Sequence, residues 1–303
     1  MYKKYNKILL LLFKSLAIRG VSPEYPNTDN PTGVIGMMRC MRPLPVFLVA
    51  VVALILGVAA LVGCTSDGGA QVIPIPFDDA KIIIELNATD GDVGIQVFLD
   101  GEPWENVKIF SPDGQIFEVN GTGNLKELGL TELFFESNEP SLDELPLDEF
   151  LAMFPEGEYE FEGLTVEGDN LVGTATLTHD IPCGPEIVSP AEGAVVNPNN
   201  TVIEWEEVTN KLGPDGECDD SSEIEIFGYQ VIVEREDPLR VFSVDLPASA
   251  REVTVPSEFL ESGTEYKFEV LAIEERGIGE RGNQTISESF FCTDPLTPCL
   301  DTE

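Results

Sequence analysis

Two patterns of apolar residues divide the chain. Residues 44–63 form a run of 20 residues without a charge, whereas short segments of alternating apolar and polar residues fill the chain after it. Alternation places successive side chains on opposite faces of a half-buried β-strand, and Gly, Pro, Asn and Asp separate the segments as turn residues do. The sequence after the apolar run therefore predicts an all-β protein of many short strands.

The segment 77–182 predicts a first β-sandwich, of the jelly-roll or immunoglobulin-like kind. Asp100-Gly101 predicts a tight turn between two strands, and the proline-bounded segment 147–154 predicts one short helix. In 157–163 the alternation is strict, which places two aromatic residues inward and the glutamates toward water. The expected strands are 81–86, 94–99, 106–110, 115–119, 131–136, 157–163 and 171–178.

The segment 183–294 predicts a second sandwich, with strands at 202–205, 227–234, 240–246, 252–256 and 285–292. Trp205 on an early strand and the run Leu260-x-x-Gly263-x-x-Tyr266 resemble the core tryptophan and the tyrosine corner of fibronectin type III domains. The resemblance implies that Trp205 packs between two sheets and that the Tyr266 hydroxyl bonds to nearby backbone. The loop 210–222 departs from the family because it is longer than usual.

Besides Cys40 and Cys64 there are four cysteines, at 183, 218, 292 and 299, an even number that fits an oxidising compartment. Four cysteines allow three pairings. In the fibronectin type III fold the domain's N-terminus and the 210–222 loop lie at the same pole. The resemblance therefore implies the pair Cys183–Cys218, and with it Cys292–Cys299, which attaches the tail 295–303 to the last strand.

The apolar run predicts export. Arg39 and Arg42 precede it and small residues lie near its end, as in a secretory signal. Its last residues, Leu-Val-Gly-Cys ending at Cys64, resemble the lipobox of bacterial lipoproteins, which implies cleavage before Cys64 and lipidation of that cysteine. Thr65, rather than Asp, is similar to outer-membrane sorting signals. The alternative is an uncleaved transmembrane helix, since about 20 apolar residues span the hydrocarbon core.

The N-terminal segments are assigned accordingly. Residues 37–63 are the expected signal peptide, and 64–76 are a tether rich in glycine and proline. Residues 1–36 are interpreted as an over-extended gene start or as an extra membrane-surface segment. The expected location is the cell envelope, lipid-anchored at the outer membrane, with the protein facing the periplasm or the exterior.

The segment from Cys64 onward is strongly acidic. It carries ten basic and 53 acidic residues, a net charge of −43. This charge argues against nucleic acid and against anionic lipid surfaces as partners. It is typical of a protein of saline surroundings or of one loaded with divalent cations.

Asn87, Asp90 and Asp92 are candidate calcium ligands, since they place oxygen atoms within six residues after a strand. The full EF-hand pattern is absent. The alternative is an ordinary Asp-Gly turn on an acidic surface, and the loop 214–220 has the same two interpretations.

Glutamate pairs such as Glu158/Glu160 and Glu204/Glu206 have the residue types of a glycosidase. Strand alternation places each pair opposite the apolar residues, so a solvated surface is the preferred interpretation. His179 has no Ser or Cys motif beside it and is interpreted as a polar residue at a strand end.

The sequence contains no recognisable catalytic motif, and we expect a protein that is not an enzyme. The expected role is binding or structural, in a membrane-anchored lipoprotein whose partner is an envelope protein or polysaccharide. The alternative is an extracellular polysaccharide- or peptide-binding module stabilised by calcium. Trp104 is either an exposed aromatic that stacks on sugars or, as preferred, a core residue.

Overall fold

The computed structural model describes residues 73–295 and 298–299. The predicted extension 1–36, the signal peptide 37–63, Cys64 and most of the tether lie outside these residues. The described chain is made mainly of strands, which confirms the predicted all-β class and sandwich architecture. The predicted domain boundaries stay a prediction, and the two parts are called here the first half (73–182) and the second half (183–295).

The first half contains seven strands and two short helices. Its elements are β1 (Ile75–Pro76), β2 (Asp79–Asn87), β3 (Asp92–Ser111), β4 (Gly114–Asn120), α1 (Asn124–Leu128), β5 (Leu130–Glu136), α2 (Leu147–Met153), β6 (Gly157–Thr165) and β7 (Asn170–Leu177). Helix α2 was predicted and α1 was not. The first turn of α2 buries Leu147 and Phe150 in the core.

Strand β3 corrects one prediction, because Asp100-Gly101 does not form a tight turn. The chain runs through these residues in a single strand of 20 residues. The first part of β3 pairs with β2 and β5, and the last part pairs with β4 and β6. One strand therefore belongs to both layers around the core, and the register shifts between Asp100 and Trp104.

Phe77 explains why glycine is needed in this region. A Cβ atom on Gly101 or on Gly163 would lie 2.9 Å from the Phe77 ring, and one on Gly173 would lie 3.2 Å from it. The three glycines form a socket for the ring, which is 8% exposed. The Asp100-Gly101 pair thus serves close packing rather than chain reversal.

The core of the first half follows the predicted alternation. Tyr159 and Phe161 on β6 are buried, whereas Glu158, Glu160 and Glu162 between and beside them are exposed. The buried aromatic rings join the apolar residues of β2, β3 and β7 in one cluster. Burial of such side chains contributes about 1.5–3 kcal/mol each.

The second half has the strand arrangement of a fibronectin type III domain. Its strands are β8 (Ile187–Ser189), β9 (Ala194–Val196), β10 (Val202–Trp205), β11 (Asn210–Leu212), β12 (Cys218–Glu223), β13 (Ile226–Arg235), β14 (Arg240–Pro247), β15 (Glu252–Thr254), β16 (Glu265–Gly277) and β17 (Glu280–Thr293). They form sheets with the orders β8-β10-β15 and β14-β13-β16-β17.

The two residues that carried the resemblance are placed as it implied. Trp205 is 2% exposed and its ring lies 5.4 Å from that of Tyr229. The Tyr266 hydroxyl accepts a hydrogen bond from the Glu261 N–H at 2.7 Å and contacts the Phe259 carbonyl. This is the tyrosine corner of Greek-key sandwiches.

The long loop of the second half contains two strands that were not predicted, β11 and β12, which pair with each other. Cys183 is bonded to Cys218 in this loop, which confirms the predicted pair. Cys292 is bonded to Cys299. The first bond attaches the start of the second half to its most irregular loop.

The halves share one continuous sheet, which the sequence did not reveal. Strand β2 pairs in parallel with β17, and Gln284, Thr285 and Ile286 lie opposite 85–87. The resulting strand order is β1-β7-β6-β3-β2-β17-β16-β13-β14. The apolar cores of the two halves remain distinct clusters on the same side of this sheet.

Asn283 completes the junction. Its Oδ1 accepts a hydrogen bond from the Ile84 N–H at 2.8 Å, and its Nδ2 donates to the Thr178 and Asp180 carbonyls at 3.0 and 3.1 Å. The Asn283 N–H donates to Glu274 Oε2 at 2.8 Å. Asn283 is fully buried, and its bonds to Ile84 and Glu274 are buried with it.

We predict that Asn283→Ala lowers the free energy of unfolding by about 3 kcal/mol, because the buried Ile84 N–H and two part-buried carbonyls lose their partner. Urea denaturation followed by circular dichroism measures the change. Asn120→Ala, at an exposed asparagine, is the control and should change stability by less than about 0.5 kcal/mol. Equal effects of the two substitutions would show that Asn283 does not hold the junction.

We predict that the double variant Cys183→Ser/Cys218→Ser loses about 3–4 kcal/mol, since the bond closes a loop over a separation of 35 residues. Cys292→Ser/Cys299→Ser should lose only about 2 kcal/mol, because its separation is 7 residues. Urea denaturation of both variants under oxidising conditions tests which of the two loses more stability. The reverse order would contradict the chain-entropy argument.

Candidate functional site

The outer face of the continuous sheet, opposite the two cores, is rich in carboxylates and is called here the carboxylate face. Strand alternation places on it the polar residues of β13, β16, β17, β2, β3 and β5. Its polar members are Gln230, Glu234, Lys267, Glu269, Gln284, Glu288, Glu85, Gln96 and Glu136. Two small apolar clusters lie on the same face, one centred on Leu271 and the other on Phe98.

Three carboxylates converge on this face beside the junction of the halves. Glu85, Glu136 and Glu139 each place an oxygen within 4.8 Å of the others. Glu85 lies on β2 and is 3% exposed, Glu136 ends β5, and Glu139 follows in the segment after β5. We call these three residues the glutamate cluster.

Gly94 creates the space for the cluster. It lies directly opposite Glu85 in the β2–β3 ladder, and a Cβ atom on it would lie 2.9 Å from Glu139 Cγ. Glu139 therefore folds over the sheet where a side chain is missing. Its segment is held by hydrogen bonds from the Val93 N–H to the Pro140 carbonyl and from the Ser137 N–H to the Ile95 carbonyl.

Two glutamine side chains contact the cluster. Gln284 of β17 donates to Glu85 Oε2, so a residue of the second half orients a carboxylate of the first. Gln96 Nε2 donates to Glu136 Oε1 at 3.1 Å. Gln96 is fully buried, and its Oε1 has no hydrogen-bond partner among residues 73–295 and 298–299.

The electrostatics of the cluster oppose three negative charges. Burial, followed by repulsion from Glu136, raises the pKa of Glu85 well above its usual value, and the Gln284 hydrogen bond offsets part of the rise. Burial also raises the pKa of Glu136, opposed by hydrogen bonds with Gln96 and Glu139. A hydrogen bond between two carboxyl groups requires a shared proton. The cluster therefore retains protons or attracts a cation.

Further along the face, burial raises the pKa of Glu269 to about 8, with added repulsion from Glu288. Burial and the nearby Glu236 raise the pKa of Glu234 to about 7. The pKa of Glu288 is raised too, by burial and by the charge of Asp90. Lys267 is the cation that partly offsets these shifts.

The predicted ligands Asn87, Asp90 and Asp92 lie at one end of the carboxylate face. Asn87 Oδ1 accepts hydrogen bonds from the Thr89 and Asp90 N–H groups at 2.9 and 3.1 Å, so both of its lone pairs are used by the turn. Asn87 Nδ2 donates to Glu288 Oε1 at 2.6 Å. Metal binding by these three residues stays a prediction.

In the loop 214–220, hydrogen bonds from Ser221 and Ser222 lower the pKa of Asp219 to about 2. These bonds close a local turn in which the carboxylate already has donors. Metal binding by this loop likewise stays a prediction.

The other candidate residues occupy ordinary structural positions. Trp104 is 1% exposed, which confirms the preferred core interpretation and removes it as a platform for sugars. His179 follows β7, and its Nε2 lies 2.8 Å from the Phe154 carbonyl. Glu158 and Glu160 project from the exposed face of β6.

Sequence reasoning missed the glutamate cluster because Glu85 lies about 50 residues before Glu136 and Glu139 and meets them only through the β2–β3–β5 pairing. One signal was present. Glu85 interrupts an apolar strand, Ile-Ile-Ile-Glu-Leu, and a charged residue within such a run is a buried charge that needs partners.

A second group of potential ligands within the described residues is Glu265, Cys292 and Cys299. Its two cysteines form the disulfide described above, so they are not thiolate ligands. Across residues 73–295 and 298–299, no helix is long and apolar enough to cross a membrane.

Comparisons with known proteins add little to this description. No protein-family model and no curated protein matches the chain. Among solved structures, the FN1–FN3 domains of chicken CNTN1 share 14% identity and a TM-score of 0.26, with 72% of this chain and 65% of that chain covered. A two-domain fibronectin type III segment of chicken tenascin shares 11% identity and a TM-score of 0.23, with 71% and 97% covered.

The chain thus spans 65% of the CNTN1 segment. Because both TM-scores are low, the assignment of the second half rests on its strand order and on the tyrosine corner.

We predict that stability falls as the pH rises from about 5 to 8, measured as the Tm in EDTA. The folded protein keeps protons on Glu234 and Glu269 that the unfolded chain has lost above about pH 4.5, so the folded state binds more protons in this window. Groups with a lowered pKa, such as Glu261, change the stability only below this pH window.

Glu269→Gln should flatten this dependence, since the amide is neutral at every pH. The same substitution at the exposed Glu258 should leave it unchanged. A Tm that rises between pH 5 and 8 in wild type would contradict the assignment of these raised pKa values.

Proposed function

We propose that this protein is an exported lipoprotein with a non-catalytic binding or structural role in the cell envelope. The observation that carries the proposal is the uncharged run 44–63 ending at Cys64, followed by an acidic all-β body. Lipidation of Cys64 tethers the body to a membrane through the 64–76 segment. The sorting residue Thr65 favours the outer membrane, with the body facing the periplasm or the exterior.

The fold supports a non-enzymatic role. Sandwiches of the fibronectin type III kind present surfaces and loops from a rigid scaffold. An acyl-transfer enzyme needs a nucleophile, a base and an orienting group. The contacts of His179 are different: its Nε2 lies beside the Phe154 carbonyl and its backbone N–H donates to Glu156. The partner is an envelope protein or polysaccharide.

Of these roles, the structure favours a spacer or scaffold over sugar binding. Trp104 and Trp205, the two tryptophans of the chain, are both buried in the cores. Neither presents the exposed aromatic face on which carbohydrate rings stack. The continuous sheet joins the two halves into one body, which suits a rigid spacer.

We predict that Cys64→Ser abolishes lipid attachment and releases the protein from the membrane fraction. The full chain is produced in a diderm bacterium with labelled palmitate, and label and fractionation are followed together. Cys40→Ser, which alters the other cysteine before the body, is the control and should be labelled like wild type.

Two outcomes would contradict the proposal. Label retained in Cys64→Ser would place the lipid elsewhere. Wild-type protein that stays in the membrane unlabelled and at its uncleaved mass would establish the transmembrane anchor instead.

A further inference from the structure

We propose that the glutamate cluster, Glu85, Glu136 and Glu139, binds one calcium ion on the carboxylate face beside the junction of the two halves. The site differs from the turn of Asn87, Asp90 and Asp92 that the sequence suggested. It does not depend on the lipoprotein assignment, since it concerns the folded body alone.

The spacing of the oxygens fits calcium. Calcium–oxygen distances are about 2.3–2.6 Å, so two ligands on opposite sides of one ion are separated by about 5 Å or less. One carboxyl oxygen from each member of the cluster lies within 4.8 Å of the other two. A single ion therefore reaches all three side chains without rearrangement of the strands.

Gln96 provides an independent indication of a ligand. Its side chain is fully buried, its amide nitrogen contacts Glu136 at 3.1 Å, and its Oε1 lacks a partner within the described part of the chain. A buried carbonyl oxygen without a partner costs about 1–3 kcal/mol. A cation held by Glu136 would give this oxygen its missing partner, as amide oxygens are ordinary calcium ligands.

The chemistry of the donors selects among metals. All of them are hard oxygens, and no histidine or thiolate is available in the cluster, which disfavours zinc. Magnesium keeps several waters in near-ideal octahedral geometry, whereas the burial of Glu85 and Gln96 leaves little room for water. Calcium accepts six to eight oxygens in flexible geometry, which three carboxylates and an amide can largely supply.

Calcium would also act on the junction. Gln284 from β17 orients Glu85, so an ion on Glu85 is supported by the second half although the carboxylates belong to the first. Outer-shell partners of this kind are worth about 10–100-fold in metal affinity. Ion binding would therefore stabilise the pairing of β2 with β17.

Calcium titration of the full chain in detergent, by calorimetry at pH 7.5 and fixed ionic strength, tests the site. We expect one ion per chain, a dissociation constant of about 10⁻⁴–10⁻³ M as in extracellular modules, and weaker binding of magnesium. Protons should be released on binding, which titration in two buffers of different ionisation enthalpy detects.

Glu139→Gln should weaken calcium binding by about 10-fold or more, as should Gly94→Ala, whose added methyl group displaces Glu139 while every charge is kept. Glu132→Gln is the matched control, because it makes the same substitution at an exposed residue of β5 on the same face. The calcium affinity of this control should equal that of the wild-type protein. Equal weakening by Glu132→Gln and Glu139→Gln, with no effect of Gly94→Ala, would show diffuse charge rather than a site.

Thermal unfolding of the same samples checks that the variants are folded. In EDTA, Glu139→Gln should have a higher Tm than wild type because it removes one of three repelling charges, yet calcium should raise its Tm less. No binding heat in wild type would overturn the proposal. Loss of binding in Asp90→Asn/Asp92→Asn, but not in Glu139→Gln, would overturn it in favour of the site predicted from the sequence.

Discussion

The parallel pairing of β2 with β17 is the constraint on which the rest of the structure depends. It joins residues about 200 positions apart, and the ordering entropy of so long a closure must be recovered by a few contacts. The ladder supplies only three residue pairs, so Asn283 adds its side-chain bonds to Ile84 and to the connection between the halves. A fully satisfied buried amide of this kind fixes one register and excludes others.

The same pairing explains why acidic groups are buried on the carboxylate face. A half with an open edge would leave Glu85 in water, but the neighbouring strand brings Gln284 alongside it and removes solvent. Burial of carboxylates is costly unless protons, donors or cations compensate. Burial raises the pKa values of Glu85, Glu136 and Glu269, which is the direction that favours their protonated forms. The protein thus has two kinds of glutamate, exposed ones on β6 that are solvated and ones at the junction that are removed from solvent.

Local patterns predicted the elements well and the long-range contacts poorly. The alternation around Tyr159 and Phe161 is a property of neighbouring residues, and so is the proline-bounded helix α2; both were found. The resemblance at Trp205 and Tyr266 gave the second sandwich and, through it, the Cys183–Cys218 bond. Asp100-Gly101 misled because a glycine that makes room for Phe77 has the same local sequence as one that turns the chain. The β2–β17 pairing and the glutamate cluster depend on tertiary contacts that no short window contains.

The socket of Phe77 has a mechanical consequence. The chain enters the described body at the edge strand β1, which contributes only two residues and pairs with β7. A tension applied from the N-terminal side would peel this short strand away with little resistance. The next residue is Phe77, whose ring is enclosed by three glycines and cannot leave without opening the core. Under the proposed lipid attachment at Cys64, the Phe77 ring would be the first side chain to resist a force applied from the N-terminal side.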